Sequence, residues 1–186
     1  MNDYKITNFN EEEYRKILNI TELFCEKGAS ENPPKFVILT GGVGSGKTTI
    51  RRKDYGKGYV NFDFGEILSA CTEAFGKGES RLESVIKLTC DMILGQSIDQ
   101  KKNIVIEIMG AHEDEFMPVV NGMTKLGYDT SFVFIDCPPA EAYTRHLKAV
   151  EEDQGYWSSY FTQEGTLSFF YEHLGLGELP DSLRVN

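Results

Sequence analysis

One residue beyond the apolar run Phe36-Val37-Ile38-Leu39 stands Gly41-Gly42-Val43-Gly44-Ser45-Gly46-Lys47-Thr48-Thr49, and this stretch decides how the chain is read. It fits G-x-x-x-x-G-K-[ST], the P-loop, in which glycines let backbone N–H groups curl around phosphate oxygens at a helix N-terminus. In that geometry Lys47 reaches the β- and γ-phosphates and the Thr48 hydroxyl coordinates Mg²⁺. The alternative is a glycine-rich surface turn carrying an exposed lysine. Context argues against it, because an apolar strand leads into the loop and a short helical stretch, 49–53, leads out. Residues Gly41 to Thr49 are therefore the expected site for a nucleotide triphosphate with Mg²⁺.

Outward from the loop, apolar runs recur at 59–62, 104–108 and 132–135, with a weaker one at 183–185. Short continuous runs of this kind suit a parallel sheet covered on both faces. Helical patterns separate them: 67–75, 82–93 behind a Ser80/Glu83 capping box, 116–126 ended by Gly127, 140–150 after two prolines, and a last one opened by Thr162 and Glu164 and closed by Gly175. Ahead of the first strand, Asn10 and Glu13 make a capping box, with Phe9 placed to staple against Tyr14. Tyr14, Ile17, Leu18, Thr21, Phe24 and Cys25 then share one helical face. The alternation predicts an α/β fold with a mostly parallel, doubly wound five-stranded sheet flanked by helices. With 186 residues, one domain is expected. Its parts are an N-terminal helix and linker, 1–34, and a core, 35–186, that includes a lid-like segment at about 145–165.

Nineteen Lys and Arg against twenty-nine Asp and Glu give a net charge of −10, which disfavours a nonspecific grip on nucleic acid. No stretch approaches the ~20 apolar residues of a membrane span, and the first ten residues lack a secretory pattern, so a cytoplasmic protein is expected. Cys25, Cys71, Cys90 and Cys137 have neither metal nor disulfide spacing and read as reduced packing residues.

Open α/β sheets hold ligands at the carboxyl ends of their strands, so carboxylates there are the next candidates. Asp63, directly after the second run, can accept the proton of an attacking hydroxyl, or can cap the following helix, or both. Glu107, inside Ile104-Val105-Ile106-Glu107-Ile108, is costly to bury unless paired. Its expected partner is Mg²⁺ through water, or Lys47 and a substrate hydroxyl. Asp136 precedes Cys137-Pro138-Pro139 and reads as a turn or cap. Arg145 can offset charge on the transferring phosphoryl group, or pair with Glu141 four residues earlier. Arg51 and Arg52 meet nucleotide or substrate phosphates, or decorate a surface helix. His112, His146 and His173 suggest no triad, and Trp157 with its aromatic neighbours reads as packing.

The whole order resembles the zeta toxin family: an N-terminal helix, Gly41 to Arg51, the Asp63 strand, Val105-Ile106-Glu107, and Leu126-Gly127-Tyr128-Asp129-Thr130 leading into a fourth strand. The resemblance runs from about Asn8 to Arg145. It implies a P-loop kinase fold and transfer of phosphate from ATP or GTP, with Mg²⁺, to a sugar hydroxyl of UDP-N-acetylglucosamine. It also implies Lys47 and Thr48 as phosphate and metal residues, Asp63 as base, Glu107 as a substrate-site carboxylate, Arg145 as a phosphate contact, and a small antitoxin protein as partner. The chain departs from the family pattern in carrying Ile108-Met109 after the glutamate, in a short Lys47-to-Asp63 connection, and in having no Lys or Arg between Lys148 and Arg184. Two other functions stay open on these residues: a nucleoside or nucleotide kinase, and a nucleotide-binding regulator with little catalysis.

Overall fold

The computed structural model describes residues 9–42, 44–76, 80–109 and 113–152. Among these, the order is α1 (Glu11–Cys25), β1 (Lys35–Gly41), α2 (Lys47–Asp54), β2 (Val60–Phe62), α3 (Phe64–Phe75), α4 (Leu82–Asp99), β3 (Ile104–Met109), α5 (Glu113–Lys125), β4 (Asp129–Phe134) and α6 (Pro139–Glu152). The strands form one parallel sheet in the order β2-β3-β1-β4. The expected strand at 183–185 and the helix opened by Thr162 lie outside the described residues.

Alternation along β1 and β3 explains how the sheet is covered. Phe36, Ile38 and Ile104 face one way, into a core with Ile17, Ile20 and Phe24 of α1, Ile67 of α3, Ile93 of α4 and Val120 of α5. Val37, Leu39 and Val105 face the other way, with Ile50 of α2 and Ile135. A strand buried on both sides has no polar positions to spare, hence its continuous apolar run.

The capping box of α1 forms as expected: Asn10 N–H donates to Glu13 Oε2 at 2.8 Å and Glu13 N–H donates to Asn10 Oδ1 at 2.9 Å. Phe9 packs against the core and lies under the Arg81 guanidinium. Ile20 joins the buried face of α1, while Tyr14 and Leu18 are only partly buried. One cap is corrected: the N-cap of α4 is Arg81, with no side-chain cap bond, and not Ser80. Helix α5 begins at Glu113, three residues before the expected 116, and carries Pro118 inside it, past the first turn, where the missing N–H removes one helical hydrogen bond. Strand β4 starts at Asp129, earlier than the apolar run suggests, because its first residues are aligned by pairing with Lys35 and Phe36 and not by hydrophobicity.

At the amino ends of the strands Asn103, which is 1% exposed, ties three of them together. Its Oδ1 accepts from Lys35 N–H at 2.9 Å, its Nδ2 donates to Glu31 Oε1 at 2.9 Å and to Gly58 O at 3.3 Å, and its carbonyl accepts from Val60 N–H at 2.8 Å. The four cysteines are free. Burial pushes the Cys25 and Cys71 thiols up and the Cys90 thiol to about 11, which suits packing residues. No helix among the described residues is long and apolar enough to cross a membrane.

Candidate nucleotide and phosphate site

Strand β1 leads through α2 to β2 on one side, and β3 leads through α5 to β4 on the other, so the chain reverses direction between β1 and β3. A crevice opens at such a point beyond the carboxyl ends of the strands. There β1 delivers the phosphate loop, β2 delivers Asp63 and β3 delivers Glu107.

The loop from Gly41 enters α2 through Gly46, whose φ of +101° is a left-handed backbone that other residues adopt at a cost. Gly44, at φ +71°, packs so closely on α6 that an added Cβ would lie 2.2 Å from the Ala142 carbonyl oxygen. Val43 lies outside the described residues. Lys47, 8% exposed, bends back to donate to the carbonyls of Gly41 and Gly42 at 2.9 and 2.8 Å. Burial pushes its ammonium down from the usual lysine range, with Glu107 opposing. Thr49 is exposed on α2. The Ser45 hydroxyl is buried and has no hydrogen-bond partner. A buried polar atom left unpaired at a phosphate loop is what an incoming phosphate oxygen would satisfy, so the residues present fit a nucleotide triphosphate.

Behind the loop, the sheet's register sets the rest. Glu107 pairs with Leu39 and Asn61 with Val105, so both side chains lie on the face that α2 covers. Arg51, one turn along α2 from Lys47, meets them there. It is 2% exposed; Nε donates to Glu107 Oε1 at 2.5 Å, Nη1 to Asn61 Oδ1 at 3.2 Å, and Nη2 to Asp63 Oδ2 at 2.8 Å and Glu66 Oε1 at 2.9 Å. Burial opposes the Arg51 charge, and the surrounding carboxylates more than restore it. Arg51 is thus the buried cation of a carboxylate cluster and not a surface decoration. Arg52 is 70% exposed and lies 3.7 Å from Glu66.

Asp63 takes the capping role. Its Oδ1 accepts from Glu66 N–H at 3.0 Å and so caps α3, while the carboxylate still borders the crevice, with 11% of its side chain exposed. Glu107 answers its burial by accepting from Thr48 Oγ1 at 2.9 Å as well as from Arg51. That joins the carboxylate to the hydroxyl expected to hold Mg²⁺, and the Thr48/Glu107 pair is a donor set that fits a hard divalent cation. Glu66, in the first turn of α3, is a further member of the cluster that no motif marks. Burial alone would raise its carboxyl, but Arg51, with Arg52 and Lys27, holds it below the usual value. Its position three residues after an N-cap Asp was the available signal. Arg145, half exposed on α6, pairs through Nη2 with Glu141, and its Nη1 donates to Ser45 O of the phosphate loop at 3.3 Å. Asp136 is exposed in the turn before α6.

A phosphate loop at the reversal point of a parallel sheet, with carboxylates on the neighbouring strand ends, defines a protein of the P-loop kinase class. The family model for the zeta toxin matches residues 21–157, and the chain belongs to the zeta toxin family. No curated protein matches the sequence significantly. Among solved structures, the fold is similar to that in the PezAT chromosomal toxin-antitoxin system of Streptococcus pneumoniae, with a TM-score of 0.59, 18% identity, and coverage of 92% of this chain and 76% of the other. It is also similar to the AvrRxo1-ORF1:-ORF2 complex, with a TM-score of 0.58 and 17% identity over 76% of this chain and 51% of that one. A putative kinase from Chloroflexus aurantiacus aligns with a TM-score of 0.51 and 12% identity, over 67% of this chain and 71% of its own.

Proposed function

We propose that the protein is an ATP- or GTP-dependent phosphotransferase that moves the γ-phosphate to a hydroxyl of a small molecule, with a UDP-sugar such as UDP-N-acetylglucosamine as the acceptor. Family membership favours that acceptor. The observation that carries the reading is the convergence of Lys47, Thr48, Asp63 and Glu107 at the ends of three adjacent strands.

In this reading Lys47 leaves the Gly41 and Gly42 carbonyls for the β- and γ-phosphates, and the buried Ser45 hydroxyl gains an acceptor. Mg²⁺, when bound, neutralises charge building on the phosphates; Thr48 would hold it, with Glu107 orienting the threonine or a metal-bound water. Asp63 accepts the proton of the acceptor hydroxyl, and Arg145 turns from Glu141 toward the transferring group. A nucleoside in place of the UDP-sugar would use the same four residues. The absence of Lys and Arg from 149–183 favours a second reading, a nucleotide binder with little turnover. A small antitoxin protein covering the nucleotide site is the proposed partner.

The test is transfer from γ-labelled ATP or GTP to a panel of UDP-sugars and nucleosides, with products resolved by ³¹P NMR. A UDP-sugar phosphate is expected. Asp63→Asn should lower transfer by roughly 10²–10⁴-fold while nucleotide still binds. Tight binding without transfer to any acceptor would instead support the non-catalytic reading, and full activity in Asp63→Asn would remove that residue as the base.

A further inference from the structure

Among the described residues the Arg51 guanidinium donates to four side-chain acceptors, and the residue is 2% exposed. Each of its nitrogens has a different task. Nε holds Glu107 of β3, Nη1 holds Asn61 of β2, and Nη2 bridges Asp63, the N-cap of α3, to Glu66 in the first turn of α3. Arg51 itself sits on α2, four residues from Lys47 and three from Thr48, so the residues of the phosphate loop and the cation behind them ride on one rigid helix. One planar group therefore fixes the distance between that helix and both carboxylates of the crevice.

We propose that Arg51 is a positioning residue for phosphotransfer, which holds Asp63 and Glu107 in register with the phosphate loop, and that Glu66 is the anchor that keeps its guanidinium turned toward Asp63. This rests on the phosphotransferase reading given above. Charge alone would not require this arrangement. Three carboxylates converge on one cation, and Lys47 beside Glu107 is the next positive group inward. A lysine at position 51 would supply the same charge from a single point and could not serve four acceptors in one plane. Geometry is thus what arginine adds here. Glu66 needs only to accept from Nη2, so its amide counterpart should keep part of the function.

The test compares Arg51→Lys and Glu66→Gln, each alone and combined with Asp63→Asn. The readouts are transfer from γ-labelled ATP to UDP-N-acetylglucosamine, or to whichever panel acceptor the native protein uses, and affinity for a fluorescent ATP analogue. Arg51→Lys is expected to lower kcat by about 100-fold while nucleotide affinity stays within about threefold, since the loss falls on the base and not on the loop. In the Asp63→Asn background the same change should cost about tenfold less than in the native protein, only the share that runs through Glu107 remaining, because residues that act through one another are not additive. Glu66→Gln should lose about three- to tenfold in kcat, and only when Asp63 is intact. Where Arg51→Lys does not fold, the Glu66→Gln pair decides. An Arg51→Lys enzyme with kcat within threefold of native, or losses equal in both backgrounds, overturns the proposal. A native protein that binds nucleotide and transfers to nothing overturns the phosphotransferase reading and this inference with it.

Discussion

Gly44 shows at a single residue why the phosphate loop needs its glycines. At φ +71°, and with the Ala142 carbonyl 2.2 Å from where a Cβ would stand, the position excludes any side chain twice over, by backbone strain and by collision with α6. Gly44→Ala is expected to cost about 1–3 kcal/mol of stability and to weaken nucleotide binding more than stability, since the loop must shift to relieve the clash. Thermal melts with and without ATP would separate these two effects. The motif explains a glycine here by phosphate approach; the neighbour that enforces it comes from α6, about 100 residues further along the chain, and could not be read from the motif. Arg51 is the converse case. In Lys47-Thr48-Thr49-Ile50-Arg51-Arg52-Lys53 it looks like one of several surface cations, and nothing local separates it from Arg52. Burial of 2% exposed against 70% exposed makes them different residues.

Among the elements, α1 and the β1-β3 pair were legible because their signals are local. A capping box and a period-3.6 face define α1, and unbroken β-branched runs define β1 and β3. Strand β4 and the start of α4 were less legible, because pairing and tertiary packing set their ends. The Asn103 clasp belongs to this scale too. It lies at the amino ends of β1, β2 and β3, the opposite edge of the sheet from the crevice, and it satisfies a Lys35 N–H and a Gly58 carbonyl. Removing it leaves those groups without their side-chain partner. Asn103→Ala is therefore predicted to destabilise the fold by about 2–4 kcal/mol, read by urea denaturation, while kcat of the folded fraction stays unchanged. A large loss of kcat at full folding would mean that the two edges of the sheet are coupled.

At the scale of the whole molecule, an acidic chain of net charge −10 keeps Lys47 buried at the loop, with Arg51 behind it balanced by carboxylates. A ligand that binds only the folded protein stabilises it by mass action. ATP with Mg²⁺ at about 100 times its dissociation constant should add ~2.7 kcal/mol. For a chain of this size that corresponds to a Tm rise of about 5–10 °C, read by scanning fluorimetry. Chelating the metal should reduce the rise, and Lys47→Ala should abolish it; an equal rise in Lys47→Ala would place the nucleotide elsewhere. By itself the sequence determined that a strand, a phosphate loop and a helix occur in that order within an alternating α/β chain, that Asp63 directly follows a strand and that Glu107 stands on one. These are properties of neighbouring residues, set by steric and solvation preferences that act over a few positions. Only the tertiary structure decided that Arg51, Asn61, Asp63, Glu66 and Glu107 share one buried cluster. Residues 56 apart along the chain meet there because the strand order β2-β3-β1-β4 carries β3 between β1 and β2, and because the register turns Asn61 and Glu107 toward α2.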